Sequence, residues 1–289
     1  MSISESFQTL LSRIQPTQNE QRAVAGHLSS IKTRLSEAFE VSSFVIAGSQ
    51  SRDSSISGRS DVDLFAVLKR SEVRWGDDYK TSTTVLSNVK RELDGRFRNT
   101  SIYTDVHAIA VDFSDCHADV VPVFFWETTS DNWPLYFMPD GSGDWMKTSP
   151  ARHNKYIRDA DVRSGGMLKR TSQLMKFWRE CRNPRIPLSS FHIEMVLASE
   201  GICIGVKSYA ECVRDLLQSI ARRECRGIQD PLGISGIIPC VKTENQRAVA
   251  LASVRYSRDQ AKVATEIESI STMEARQHWN TVFNGRFPR

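Results

Sequence analysis

Val45-Ile46-Ala47-Gly48-Ser49, followed eleven residues on by Ser60-Asp61-Val62-Asp63-Leu64-Phe65, is the stretch that decides how this chain folds. An apolar strand runs into a Gly-Ser turn, and a second strand then presents two carboxylates two residues apart. Strand side chains alternate faces, so Asp61 and Asp63 point one way while Val62 and Leu64 point the other, into a core. Two like charges on one face repel unless a cation lies between them. The natural cation is Mg²⁺, a hard ion that takes oxygen ligands and stays in contact with phosphates. Gly48, without a Cβ, lets backbone N–H groups and the Ser49 hydroxyl approach a triphosphate.

Working outward, helical periodicity covers residues 5–14 and 19–40, with Val24, Leu28, Ile31 and Leu35 on one face of the second segment. A strand is expected at 43–47, a loop rich in Ser and Gly at 50–60, a strand at 61–68 and a polar helix at 81–98. Strands at 105–113 and 118–126 form a hairpin around Ser114-Asp115. Residues 127–152, punctuated by Pro134, Pro139, Gly141, Gly143 and Pro150, read as loop. Beyond about 156 the chain is mostly helical, at 163–182, 190–205, 207–225, 244–270 and 272–283. Strands in the first half and helices in the second make an α+β fold with a mixed sheet. The expected division is a catalytic lobe at 1–155 and a helical lobe at 156–289 that closes a nucleotide cleft.

The 289 residues, 40% hydrophobic and 25% charged, have the composition of a globular chain with room for one large or two ordinary domains. A formal net charge of +4 does not suggest a dedicated duplex-DNA binder. The six cysteines form no C-x-x-C, and no His pair has zinc-site spacing, so no zinc is expected and Cys116 reads as a turn thiol. No signal peptide and no apolar stretch long enough for a membrane span is visible, which points to a reducing, cytoplasmic setting with free thiols.

Phosphoryl transfer between two metal ions commonly wants a further carboxylate beside the first pair. Asp105, Asp112, Asp115 and Asp119 are the candidates, and Asp119 is preferred because it lies inside the apolar run Ala118-Asp119-Val120-Val121-Pro122-Val123-Phe124, where an unpaired carboxylate would be costly. Asp105 is the main competitor. Lys176 has apolar neighbours, so its ammonium needs a partner or an exit to solvent, and a phosphate would satisfy it. Ser190, after Pro187, stands near a helix start and reads equally well as an N-cap. Phe191 reads as a core ring or a base-stacking one.

The Gly-Ser…Asp-x-Asp pattern resembles the nucleotidyltransferase superfamily of polymerase-beta-like enzymes. Asp119-Val120-Val121-Pro122-Val123-Phe124 narrows the likeness to the bacterial cGAS/DncV-like nucleotidyltransferases, the CD-NTases. Leu174-Met175-Lys176-Phe177-Trp178-Arg179, Leu188-Ser189-Ser190-Phe191-His192-Ile193-Glu194, Ile228-Gln229-Asp230-Pro231 and Trp279…Phe283…Gly285-Arg286-Phe287-Pro288 are similar to later parts of that family. The resemblance covers residues from about 40 to the end.

It implies a two-lobed fold and the synthesis of a cyclic di- or trinucleotide second messenger from NTPs, with ATP, GTP or pyrimidine NTPs as substrates. It implies a place in anti-phage (CBASS-type) defence, with a downstream effector that senses the product. Asp61, Asp63 and Asp119 would hold two Mg²⁺, with Mn²⁺ as a substitute. Gly48, Ser49, Lys176 and Ser190 would contact phosphate, and Phe191 would stack on a base. Glu194 would support the site through hydrogen bonds. The zinc insertion of the animal relative is missing, so activation by DNA is not expected, and the chain is read as a monomer. The alternatives are a transferase that adds NMP to an RNA end, a small molecule or a protein hydroxyl, and a non-catalytic nucleotide-binding module.

Overall fold

A computed structural model describes residues 1–58 and 61–289. Arg59, Ser60 and the side chain of Asp61 lie outside the described residues. The chain divides into two compact units, one of residues Pro16–Lys155 and one of Met1–Gln15 joined with Tyr156–Arg289.

Helix α1 (Ile3–Arg13) opens the chain, and the first unit follows with α2 (Gln18–Ala38), β1 (Val41–Ala47), the short α3 (Gly48–Ser51) and β2 (Asp61–Leu68). A small ribbon of β3 (Arg74–Trp75) and β4 (Asp78–Tyr79) leads to α4 (Ser82–Arg96). Strands β5 (Ser101–Asp105), β6 (Ala108–Asp112), β7 (His117–Thr128), β8 (Pro134–Pro139) and β9 (Trp145–Thr148) complete it. The main sheet runs β1-β2-β7-β6-β5, with β8 added to the far half of β7 and β9 to β8. The β2–β7 pairing is parallel and its neighbours are antiparallel, so the sheet is mixed.

Alternation along β2 does what the sequence pattern demands. Val62, Leu64 and Ala66 pack with Ile109, Val111, Ala118 and Val120 under the apolar faces of α2 and α4, supplied by Val24, Leu28, Ile31, Leu35, Leu86, Val89 and Leu93. On the opposite face Phe65, Val67, Val121 and Val123 pack with Tyr136 and Met138. That second face carries Asp63 and Asp119 on the residues preceding this apolar patch in each strand, so the carboxylates occupy one end of it.

Several expectations shift. The segment around 105 is the end of an added strand, β5, which turns back into β6. Residues 127–152 are not simply loop, since β8 and β9 lie within them. Pro134 and Pro139 sit at the two ends of β8, where a missing N–H is tolerated. The helix expected at 163–182 is preceded by α5 (Pro150–Arg163) and itself begins at α6 (Met167–Glu180). Gly165 and Gly166, with φ of +64° and +83°, break the two apart.

The second unit continues with α7 (Ser190–Ser199), α8 (Tyr209–Arg222), a ribbon of β10 (Ile228–Gln229) and β11 (Ile237–Ile238), α9 (Glu244–Ile267) and α10 (Thr272–Val282). Helix α1 belongs to this unit because Phe7, fully buried, meets Trp279 and Phe287 edge-on, each at 4.9 Å between ring centroids. Residues 1–15 therefore group with the helical half rather than with the sheet. All six cysteines are free. Among the described residues no helix is long and apolar enough to cross a membrane.

Candidate active site

The end of β1 delivers Gly48 beside β2, because the antiparallel register pairs Ala47 with Asp63. Gly48 has φ +64°, and a Cβ built on it would lie 1.8 Å from Asp63 Oδ2. The carboxylate thus occupies the space that any other residue's side chain would fill, and glycine is required both for this contact and for the left-handed backbone. The turn that follows is closed on itself: the Ser51 hydroxyl donates to the Gly48 carbonyl at 2.9 Å, and the Ser49 carbonyl accepts from the Ser54 amide at 3.0 Å. The Ser49 hydroxyl accepts from that of Ser55 at 3.3 Å.

Parallel register sets Asp63 directly beside Asp119, and the Asp61 backbone beside His117. Asp119 therefore shares the face of Asp63 on the neighbouring strand. Asp105 lies two strands farther out, paired with Ala108. Carboxylate oxygens from adjacent strands, with a Cβ-free glycine against one of them, suit a hard divalent cation by donor chemistry.

Three partners of this region escape sequence reading, because their contacts join residues far apart in the chain or depend on strand register. Glu20, in the capping box of α2, also accepts from the Gly58 amide at 2.7 Å and the Ser57 hydroxyl at 2.9 Å, and so ties the segment before β2 to a helix. These bonds, that from Thr17 first and then Gly58, hold its carboxyl well down, to about 2. Arg52, buried, donates to the side-chain carbonyl of Asn154. His117 contacts Asp119 and Asp112 at once.

One further group of possible ligand atoms converges. His27, Asp115 and Cys116 present theirs within 4.8 Å of one another. His27 bonds Asp115 at 2.8 Å and stacks on Phe113 at 3.9 Å, while Cys116 is buried in the core under α2 and α4. Cys116 is thus a turn residue whose thiol faces inward.

The remaining candidates lie in the helical unit. Lys176 on α6 is buried and pairs with the buried Glu194 on α7 at 2.8 Å, and Glu194 also accepts from Ser172 at 3.0 Å. The partner that the Lys176 ammonium needs is therefore found within the protein. Ser189, not Ser190, caps α7, its hydroxyl accepting from the His192 amide at 3.3 Å. Ser190 is the first helical residue, and its hydroxyl accepts from the buried Arg179. Phe191 is half-buried on the same turn.

Residues 1–161 match the family described as the Second Messenger Oligonucleotide or Dinucleotide Synthetase domain. A probable cyclic nucleotide synthase of Bacillus cereus strain VD146 is 22% identical over an alignment of 225 residues that covers 73% of this chain and 65% of that protein. The match thus spans just under two thirds of the relative's length. CdnC of E. coli MS115-1, solved with ATP, superposes with a TM-score of 0.70 at 17% identity, over 99% of this chain and 98% of that one. DncV of Vibrio cholerae in its 3′-deoxy GTP bound form gives a TM-score of 0.72 at 13% identity, over 97% and 93% of the two chains. At these identities the likeness is one of fold, and the fold is the α+β one that the strand and helix patterns predict and the polymerase-beta-like one that the motif resemblance implies. The glycine turn and the paired carboxylate strands fall inside the matched residues, and the chain belongs to the second messenger oligonucleotide or dinucleotide synthetase family, the cGAS/DncV-like nucleotidyltransferases.

Proposed function

We propose that this chain joins NTPs into a cyclic di- or trinucleotide second messenger, releasing pyrophosphate, in a cytoplasmic anti-phage defence system. The observation that carries the reading is the side-by-side register of Asp63 and Asp119 with Gly48 against the Asp63 carboxylate. A binding module that merely held nucleotide would have no need of such a concentration of negative charge beside a phosphate.

Asp61, Asp63 and Asp119 would hold Mg²⁺, two ions in the full reading, with Mn²⁺ able to substitute. Bound there, the metal neutralises triphosphate charge and lowers the pKa of an attacking hydroxyl. Gly48 and Ser49 admit the phosphates close to the backbone. In the helical unit Lys176 and Ser190 are assigned to phosphate and Phe191 to a base, with Glu194 and Arg179 fixing the first two. A ribose hydroxyl of one nucleotide attacks the α-phosphorus of the other, the bond to pyrophosphate breaks, and the hydroxyl proton is released. A second attack, by a ribose hydroxyl of the linear product on the α-phosphorus of its own triphosphate, closes the ring and releases a second pyrophosphate and a proton. The chain's contribution is positioning and charge complementarity rather than covalent chemistry.

Purified protein incubated with the four NTPs and Mg²⁺ or Mn²⁺, then phosphatase, tests this by mass spectrometry. A phosphatase-resistant product of two or three nucleotides is expected, and its loss in Asp61→Ala plus Asp63→Ala with the circular dichroism spectrum unchanged. Product only after an RNA end, a small hydroxyl compound or a protein is added would replace the cyclase by a transferase to that acceptor.

A further inference from the structure

The third carboxylate is not held by its own strand alone. His117 and Asp119, two residues apart on β7, share a face, and His117 Nε2 lies 3.1 Å from Asp119 Oδ1. The other ring nitrogen, Nδ1, lies 2.5 Å from Asp112 Oδ1 on β6, where the register sets Asp112 opposite His117. The imidazole is mostly shielded, at 22% side-chain exposure, and Asp119 is at 28%. Behind Asp112 stands Tyr103 of β5, whose phenol is pushed up by burial first and then by the charge of Asp112. A row of four polar side chains thus crosses three strands and ends on the carboxylate that the sequence picks out.

We infer that His117 is a positioning residue for Asp119: its Nε2 side fixes one carboxylate oxygen, Asp112 fixes the ring, and the carboxylate is presented to a divalent cation in one orientation. This rests on the reading of Asp119 as a metal ligand. An aspartate on a strand otherwise samples several rotamers, and binding a cation would have to freeze them. Hydrogen-bond partners behind a metal ligand remove that cost, and their loss typically weakens metal affinity or activity by 10–100-fold. A purely structural His117 would hold strands together and leave metal affinity untouched.

Two substitutions separate the ends of the ring. His117→Gln keeps a donor near the position of Nε2, toward Asp119. His117→Asn keeps one near Nδ1, toward Asp112. Mn²⁺ affinity of the full chain, read by the electron paramagnetic resonance signal of the free ion, should fall about 10-fold or more in His117→Asn and stay within about threefold in His117→Gln. Asp112→Asn, which leaves the His117–Asp119 contact in place, should weaken binding a few-fold and serves if His117→Asn does not fold by urea denaturation. Equal affinity in all three variants, or equal loss in the two His117 variants, overturns the assignment. Asp119→Asn is the control: if it binds Mn²⁺ as the wild type does, the metal reading of Asp119 itself falls, and that result is distinct from a failure of His117.

Discussion

At Gly48 a single hydrogen in place of a side chain decides the site. A methyl group there would overlap the Asp63 carboxylate and would also have to adopt φ +64°. Gly48→Ala should therefore lose activity by about 100-fold, as misplacement of a reacting group by an ångström does. Its stability should fall by only about 1–2 kcal/mol, the cost of a left-handed residue with a Cβ. Turnover and urea midpoints measured on the same preparation check both.

His192 gives a second residue-level test. It is fully buried, Nδ1 donates to the Ile238 carbonyl at 3.3 Å, and Nε2 has no partner among the described residues. Burial pushes its pKa down from 6.5 to about 4. The unfolded chain therefore takes up a proton first as pH falls. The contribution of His192 is fully present above about pH 6.5 and is lost toward pH 4, by roughly 3 kcal/mol. Glu20, depressed to about 2, acts in a lower window, its contribution present above 4.5 and lost toward pH 2. Urea midpoints between pH 7 and pH 4.5 should decline in the wild type and flatten in His192→Gln.

Among the elements, the α6–α7 pair is held by the buried Lys176–Glu194 ion pair. Removing one partner of such a pair strands the other charge, so Lys176→Met should cost roughly 3–5 kcal/mol in chemical denaturation. Lys176→Met with Glu194→Leu should recover most of that loss, while phosphate contact, if Lys176 makes it, would not return. The elements that the sequence announced most clearly are those whose signals are local. Strand β2 was readable from two alternating faces, and α2 from Val24, Leu28, Ile31 and Leu35. Strands β8 and β9 were hidden because their residues are few and bounded by Pro and Gly, and they exist through pairing with β7 rather than by propensity. Helix α5 is polar, and only Pro150 at its first position marked its start. The motif residues Gly48, Asp63 and Asp119 were legible; Glu20, Asn154 and the Asp112 side of His117 were not, since each contact spans a separation that no local pattern encodes or passes between strands whose register had to be known.

At the scale of the whole molecule, the helical unit is discontinuous, with Met1–Gln15 and Tyr156–Arg289 flanking the sheet unit. Phe7 is wholly buried among Trp279, Phe283 and Phe287. Phe7→Ala should cost about 3–5 kcal/mol, as large-to-small changes in an aromatic core do. The loss should appear in the helical unit, read as faster amide exchange in α10 than in β2 and β7.

The same arrangement sets an order of events during synthesis. Helix α1 leaves the ribosome before the sheet unit, but Trp279, Phe283 and Phe287 are made only well after that unit. At 5–20 residues per second the interval is on the order of 15–50 s. The sheet unit, contiguous in the chain, has its full complement of strands well before that. Until α6 and α8 are made Ile3, Phe7, Leu10 and Leu11 have no final partner, and the cover of this apolar stripe is completed only when α10 follows.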